Sequence, residues 1–186
     1  MATVLPGTKI EISKIEQGVS RSMSCGMFAA GGITLAQVSG MTGLEPYLIQ
    51  NWVKRGFLSS PEKRMYSENQ FARICIINML RESLQLEKII QLLQYINGTL
   101  NDESDDIISD AELYHRYVDM LADMNTPNID SHIIENAAIK ASESFNETSP
   151  GEKKRLKEVL TVMTYAHFAS QARQKAELLL ANFDEI

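Results

Sequence analysis

Cysteine is nearly absent from this chain of 186 residues, with only Cys25 and Cys75. That excludes a disulfide framework and a thiolate metal centre. Proline, at five residues, and glycine, at ten, are sparse away from apparent element boundaries. Few runs alternate with the two-residue period of a strand, so the expected class is all-α with a minimal β part. No segment approaches the roughly 20 uninterrupted apolar residues that cross a bilayer, and the first residues lack the charged start and apolar run of a secretion signal. A cytoplasmic protein without membrane contact is the expectation. Catalytic patterns are also missing. His115, His132 and His167 are scattered, and there is no H-E-x-x-H, G-x-S-x-G, phosphate-binding loop or G-x-G-x-x-G. Neither an enzyme nor a cofactor or metal protein is expected. Asp105, Asp106 and Asp110 are read as a solvated acidic loop rather than a cation site.

What the chain does have is dense punctuation between Ile33 and Gly98. Thr34 and Gln37 form a T-x-x-Q capping box, so a helix should begin at Leu35 and stop at Gly43. Pro46 suits the first turn of a second helix, from about Pro46 to Lys54, which Gly56 ends. Its Leu48 or Ile49 and its Trp52 face the core, leaving Tyr47, Gln50, Asn51, Lys54 and Arg55 outside. The stretch Phe57 to Tyr66 reads FLSSPEKRMY, a short connection with Pro61 at its turn and Lys63 and Arg64 at its tip. Ser67 and Gln70 make a second capping box ahead of a third helix. A fourth, carrying Leu86, Ile89, Ile90, Leu92, Leu93 and Ile96, ends at Gly98. Helix, turn, helix, basic loop and two further helices outline a winged helix-turn-helix, and double-stranded DNA is the leading candidate partner. Glutamine and asparagine on the second helix suit paired hydrogen bonds to base edges, while Lys54, Arg55, Lys63 and Arg64 suit phosphates.

Four segments, I-T-L-A-Q-V-S-G-M-T-G, W-V-K-R-G-F-L, R-M-Y-S-E-N-Q-F-A-R-I and L-E-K-I-I-Q-L-L, together resemble the DNA-binding domain of MerR-type transcriptional regulators. The whole chain resembles an uncharacterised bacterial family, of the domain-of-unknown-function type, with such a domain before a helical tail. The resemblance implies that Thr34 and Tyr47 approach the phosphate backbone, Gln50 and Asn51 the major groove, and Arg64 with Tyr66 the backbone from the wing. Gln50-Asn51-Trp52 stands where that family usually has Arg-Tyr-Tyr or Arg-Tyr-Trp, and Glu45 stands where a small N-cap hydroxyl is common.

Charge divides by region. The chain carries 18 basic and 24 acidic residues, net −6. From Ile33 to Gly98 seven basic residues meet five acidic ones, and from Thr99 onward eight meet seventeen. The anionic character lies in the tail, and a DNA partner requires positive charge gathered at one face.

Three regions follow: an N-terminal extension at 1–32, with Gly31-Gly32 as a hinge into the first helix; a helix-turn-helix domain at 33–98; and an acidic helical domain at 99–186. Asn101 to Asp106 is expected to be a solvated connection. Helices are expected over Ala111 to Met124, stopped by Asn125 and Pro127, and over Ser131 to about Ser144. Ser149-Pro150-Gly151-Glu152 reads as a capping box with proline at the first helical position, opening a long helix that extends to Phe183. Along it Val159, Val162, Ala166, Ala169, Ala172, Ala176, Leu179 and Phe183 recur in steps of three and four. That stripe packs within its own chain or forms a homodimer seam, with Leu156, Leu160, Met163, Phe168 and Leu180 as a second face. A dimer would hold two recognition helices about one DNA turn, roughly 34 Å, apart. Met120, Met124, Met163 and nearby tyrosines either fill the tail core or line a pocket for a small-molecule effector; a protein effector is the other possibility. The expected function is sequence-specific DNA binding in transcriptional regulation. The alternative is the same domain used as a protein interaction module.

Overall fold

A computed structural model describes residues 3–100, 102, 105–124 and 130–183. Eight helices and two small antiparallel sheets are present among them, in the order β1 (Thr3–Val4), β2 (Glu11–Ile12), α1 (Val19–Met27), β3 (Ile33–Thr34), α2 (Leu35–Thr42), α3 (Pro46–Lys54), β4 (Met65–Tyr66), α4 (Glu68–Leu80), α5 (Leu86–Asn97), α6 (Asp110–Met124), α7 (Ser131–Glu143) and α8 (Glu152–Ala181). The fold is all-α with a minimal β part. Among the described residues no helix is long and apolar enough to cross a membrane.

The helix starts follow their caps. Thr34 Oγ1 accepts the Gln37 N–H and Gln37 Oε1 accepts the Thr34 N–H; Ser67 and Gln70 repeat the exchange. Each box satisfies backbone donors that the first helical turn leaves orphaned. Gly43 ends α2 in the left-handed conformation. Pro46 sits at the start of α3, with Glu45 before it.

Ten of the thirteen residues of α4 are buried, among them Phe71, Ile74, Cys75, Ile76, Ile77 and Leu80. A helix apolar on all sides must be enclosed on all sides, and its neighbours include α2, α5, α6 and α8. Burial pushes the Cys75 thiol well up, so it is a small core residue and not a nucleophile. Residues 3–32 are part of this enclosure. Gly7 has φ +72°, and a Cβ there would lie 2.1 Å from the Cys75 carbonyl oxygen. Asn78 Nδ2 donates to the carbonyls of Gly7 and Thr42, and the Tyr114 hydroxyl donates to that of Pro6. Arg21 of α1 is ion-paired with Glu112, and Asp119 accepts the Gly18 N–H, both from α6. One hydrophobic core runs from Leu5 to Phe168 across all three regions.

The tail departs from expectation in two places. The expected box at Ser149 to Glu152 does not form: Gly151, at φ 96°, precedes α8, and Pro150 lies in the turn before it. The Glu152 carboxylate instead accepts the Thr148 N–H at 2.7 Å and its hydroxyl at 2.9 Å. The long helix ends at Ala181, two residues short of Phe183. Its stripe is split. Val159 and Ala166 are buried, whereas Val162, Ala169, Ala172, Ala176, Leu179 and Phe183 are exposed. The face packed against α4, α5 and α7 carries Leu156, Leu160, Met163, His167 and Ser170. Met120, Met124 and Met163 belong to the packed core. The stop expected at Asn125 and Pro127, and much of the expected acidic connection from Asn101 to Asp106, lie outside the described residues.

His167 is 9% exposed, with Nδ1 2.6 Å from the Tyr117 hydroxyl and Nε2 3.1 Å from the Gln171 amide. Burial lowers its pKa from 6.5 to about 4. The unfolded chain therefore takes up a proton first as the pH falls, so stability present above pH 6.5 is lost between pH 6.5 and 4, by up to about 3 kcal/mol. Urea midpoints measured from pH 7.5 to 5 are expected to fall, and His167→Gln is expected to flatten that dependence.

Candidate nucleic-acid interface

Helix α3 presents two unlike faces because its residues recur with the helical period. Ile49 and Trp52 are buried at 0% and 1% exposure. Tyr47, Gln50, Asn51 and Lys54, spaced at three, four and seven residues from Tyr47, are all exposed, and Tyr47 reaches 70%. Among the described residues no hydrogen bond within the chain uses the side chains of Gln50 or Asn51, and no carboxylate pairs with Lys54. The tail helices pack against α1, α4, α5 and one another, while α3 packs against α2.

The wing is a tight reversal closed by an antiparallel bridge between Glu62 and Met65, and its return strand joins the strand that leads into α2. Strand β3 pairs with β4 in the register Ile33 with Tyr66 and Thr34 with Met65. Gly32, at φ 150°, lets the chain pass close to Met65 and Tyr66. The reversal lies at Lys63-Arg64 rather than at Pro61, which comes before the hairpin. The Met65 N–H donates to the Glu62 carbonyl at 2.8 Å, and Lys63 and Arg64 have φ 48° and 65°. They are the only non-glycine residues with positive φ among those described. Two consecutive left-handed residues make the tight hairpin loop for which asparagine and glycine are the favoured occupants. Lysine and arginine hold this conformation at a cost of about 1 kcal/mol or more each. Both are exposed, and among the described residues no carboxylate pairs with either.

Other expected contacts are placed differently. Thr34 is exposed, but its hydroxyl serves the cap of α2. Arg55 pairs with Glu87 of α5 at 2.7 Å and lies 4.4 Å over the Phe57 ring, which leaves its guanidinium partly occupied. Tyr66 is only 2% exposed, and burial raises its pKa. Its ring packs in the core and borders a cleft of about 340 Å³ between α3 and the wing, lined also by Leu35, Gln50, Val53, Pro61 and Arg64. The structure thus brings Gln50 and Arg64 to one rim over an apolar floor. Among the described residues no group of three or more His, Cys, Asp or Glu side chains is placed to hold a metal ion.

Sequence reasoning missed the support of this face. Gln70 Nε2 donates to the carbonyls of Ser59 and Ser60, and Arg73 Nε to that of Phe57, so α4 grips the root of the wing. The available signal was Arg73 itself, a charged residue in an apolar run.

Fold and surface together define a small, mostly helical protein in which the exposed face of α3 stands beside a basic turn at Lys63-Arg64. Residues 33–117 match the family model described as Domain of unknown function (DUF1836). The matched stretch begins at β3 and continues past Gly98 into α6. Over 163 residues the chain is 26% identical to the "Uncharacterized protein YkrK" of Bacillus subtilis (strain 168), a span covering 79% of this chain and 70% of that protein. The chain as a whole resembles this uncharacterised family. No solved structure matches it.

Replacing Lys63-Arg64 by Asn-Gly removes two side chains from a conformation they disfavour. The double variant is expected to be more stable by about 1 kcal/mol in urea unfolding. Equal or lower stability would mean that the tip carries no strain.

Proposed function

We propose that the protein is a sequence-specific DNA-binding transcriptional regulator of MerR-like type, acting in the cytoplasm as a homodimer. The observation that carries this reading is the uncovered face of α3. Among the described residues Gln50 and Asn51 keep their hydrogen-bonding groups unspent on one helical surface, flanked by Lys54, Lys63 and Arg64, which pair with no described carboxylate. In this reading α3 enters the major groove, Gln50 and Asn51 address base edges, and Tyr47 donates to a phosphate. Lys63 and Arg64 neutralise backbone charge from the wing, and Thr34 stands beside the backbone as a cap. Arg55, bound to Glu87, contributes less than the other cations. Tyr66 supports the wing from the core.

With three cations per protomer that pair with no described carboxylate, a dimer neutralising six phosphates would show a slope of about −5 in log affinity against log salt. Lys63→Gln with Arg64→Gln is expected to reduce the slope to about −2 and to weaken binding to every duplex. Gln50→Ala or Asn51→Ala is expected to change the preference among duplexes and leave the slope. Salt-independent binding, or identical behaviour of the two sets, would contradict the reading.

Dimerisation is supported by α8. The last buried residue of that helix is Ser170 and Arg173 is still ion-paired with Glu82; beyond it residues 174–181 are all exposed, an overhang of about 12 Å at 1.5 Å per residue. It bears Leu178, Leu179 and Leu180 at 64%, 49% and 61% exposure, with Phe183 at 65% just beyond. A free helix of this length is marginal in water, and the alanines along the outer face allow close approach of a second copy. Light scattering at tens of micromolar is expected to give a dimer, and Leu179→Glu with Phe183→Glu a monomer. A monomeric parent would remove the dimer from the account.

The apolar cleft beside α3 favours a second reading, in which the same face grips an apolar side chain of a partner protein. Absence of duplex binding at low salt would select it.

A further inference from the structure

The helix-turn-helix face and the acidic tail are joined by a buried ion pair. Arg73 of α4 and Asp110, the first residue of α6, meet at 2.9 Å with side chains 6% and 12% exposed. The other Asp110 oxygen accepts from Asn97 Nδ2 at 3.2 Å, at the end of α5. Asn69 Oδ1 accepts the Ala111 N–H at 3.2 Å. On its far side Arg73 donates Nε to the Phe57 carbonyl at 2.9 Å, where the wing leaves α3. One guanidinium thus touches the wing root with one nitrogen and the tail with another.

We propose that Asp110 is a positioning residue for the wing: by fixing Arg73 it sets where Lys63 and Arg64 stand relative to α3, so the tail controls the DNA-facing surface without touching it. The functional consequence rests on the DNA-binding reading; the mechanical coupling does not. Among the described residues Asp110 is the one carboxylate paired with Arg73, and a buried cation that loses such a partner is left uncompensated and must be rehydrated. Here it has somewhere to go. A polar cavity of about 420 Å³ separates the wing from the tail, lined by Ser59, Glu62 and Lys63 on one side and Arg73, Asp106 and Asp110 on the other, so a freed guanidinium has both water and carboxylates to turn towards. Swinging into it, Arg73 gives up Phe57. The wing root then keeps Gln70 as its remaining side-chain tie from α4. The response to losing Asp110 is local loosening of the wing.

The test uses the full chain with Asp110→Ala and, as a near-isosteric variant that still accepts a hydrogen bond, Asp110→Asn. Amide hydrogen exchange is followed in residues 57–66 and in residues 152–170 of α8, and duplex affinity is measured in parallel. Exchange at 57–66 is expected to rise about tenfold in the alanine variant, less in the asparagine variant, with residues 152–170 unchanged. Duplex affinity is expected to fall several-fold in the same order although no DNA-facing residue has changed. Equal acceleration in both regions would overturn the proposal, because Asp110 would then add only to global stability. Unchanged exchange at 57–66 would overturn it directly. Accelerated wing exchange in a protein that binds no duplex would uphold the coupling and remove the DNA reading alone.

Discussion

Helix α4 is the constraint on which the rest of the structure depends. A thirteen-residue segment with ten buried positions cannot be satisfied by one layer of neighbours, so the chain must surround it. Helix α2 packs on it from one direction and α5, α6 and α8 from others, while the N-terminal hairpin lies so close that position 7 admits only glycine without a shift of backbone. Its polar residues are exceptions with partners: Arg73 reaches Phe57 and Asp110, and Asn78 reaches Gly7 and Thr42. The same helix therefore fills the core and carries the side chains that hold the wing, the N-terminal segment and the tail in register.

Local chemistry made much of this legible in advance. The two capping boxes, the glycine stop after α2 and the proline opening α3 are short-range effects, decided within four residues. The outward face of α3 followed from helical periodicity alone. What was hidden depends on contacts distant in sequence. Nothing local announces that Leu5 and Gly7 lie against α4, or that Asp110 meets Arg73 across 37 positions. The sequence placed Lys63 and Arg64 at the tip of the basic loop but Pro61 at its turn, because proline is a strong turn signal, whereas a left-handed Lys-Arg pair contradicts residue preference. In α8 both apolar stripes had helical spacing. Only the shape of the surrounding helices chose Leu156, Leu160 and Met163 for the core and left Leu179 and Phe183 outside.

Strain at the wing tip and open hydrogen-bonding groups on α3 point in one direction. Two basic residues occupy a turn that stability alone would give to others, and such departures collect where a surface has work beyond folding. Asp106 and Asp110 of the tail line the same cavity as Lys63, and only those tail charges more than about 8 Å from the face are largely screened at physiological salt. The buried pair of Arg73 and Asp110 gives the tail a mechanical rather than electrostatic route to the wing.

The most direct measurement is a nuclear magnetic resonance titration of the labelled protein with mixed-sequence duplex DNA at low salt. The account predicts that amide and side-chain shifts concentrate at Thr34, at Tyr47 to Lys54 and at Glu62 to Met65. Unperturbed resonances there, or changes confined to the outer face of α8, would contradict it.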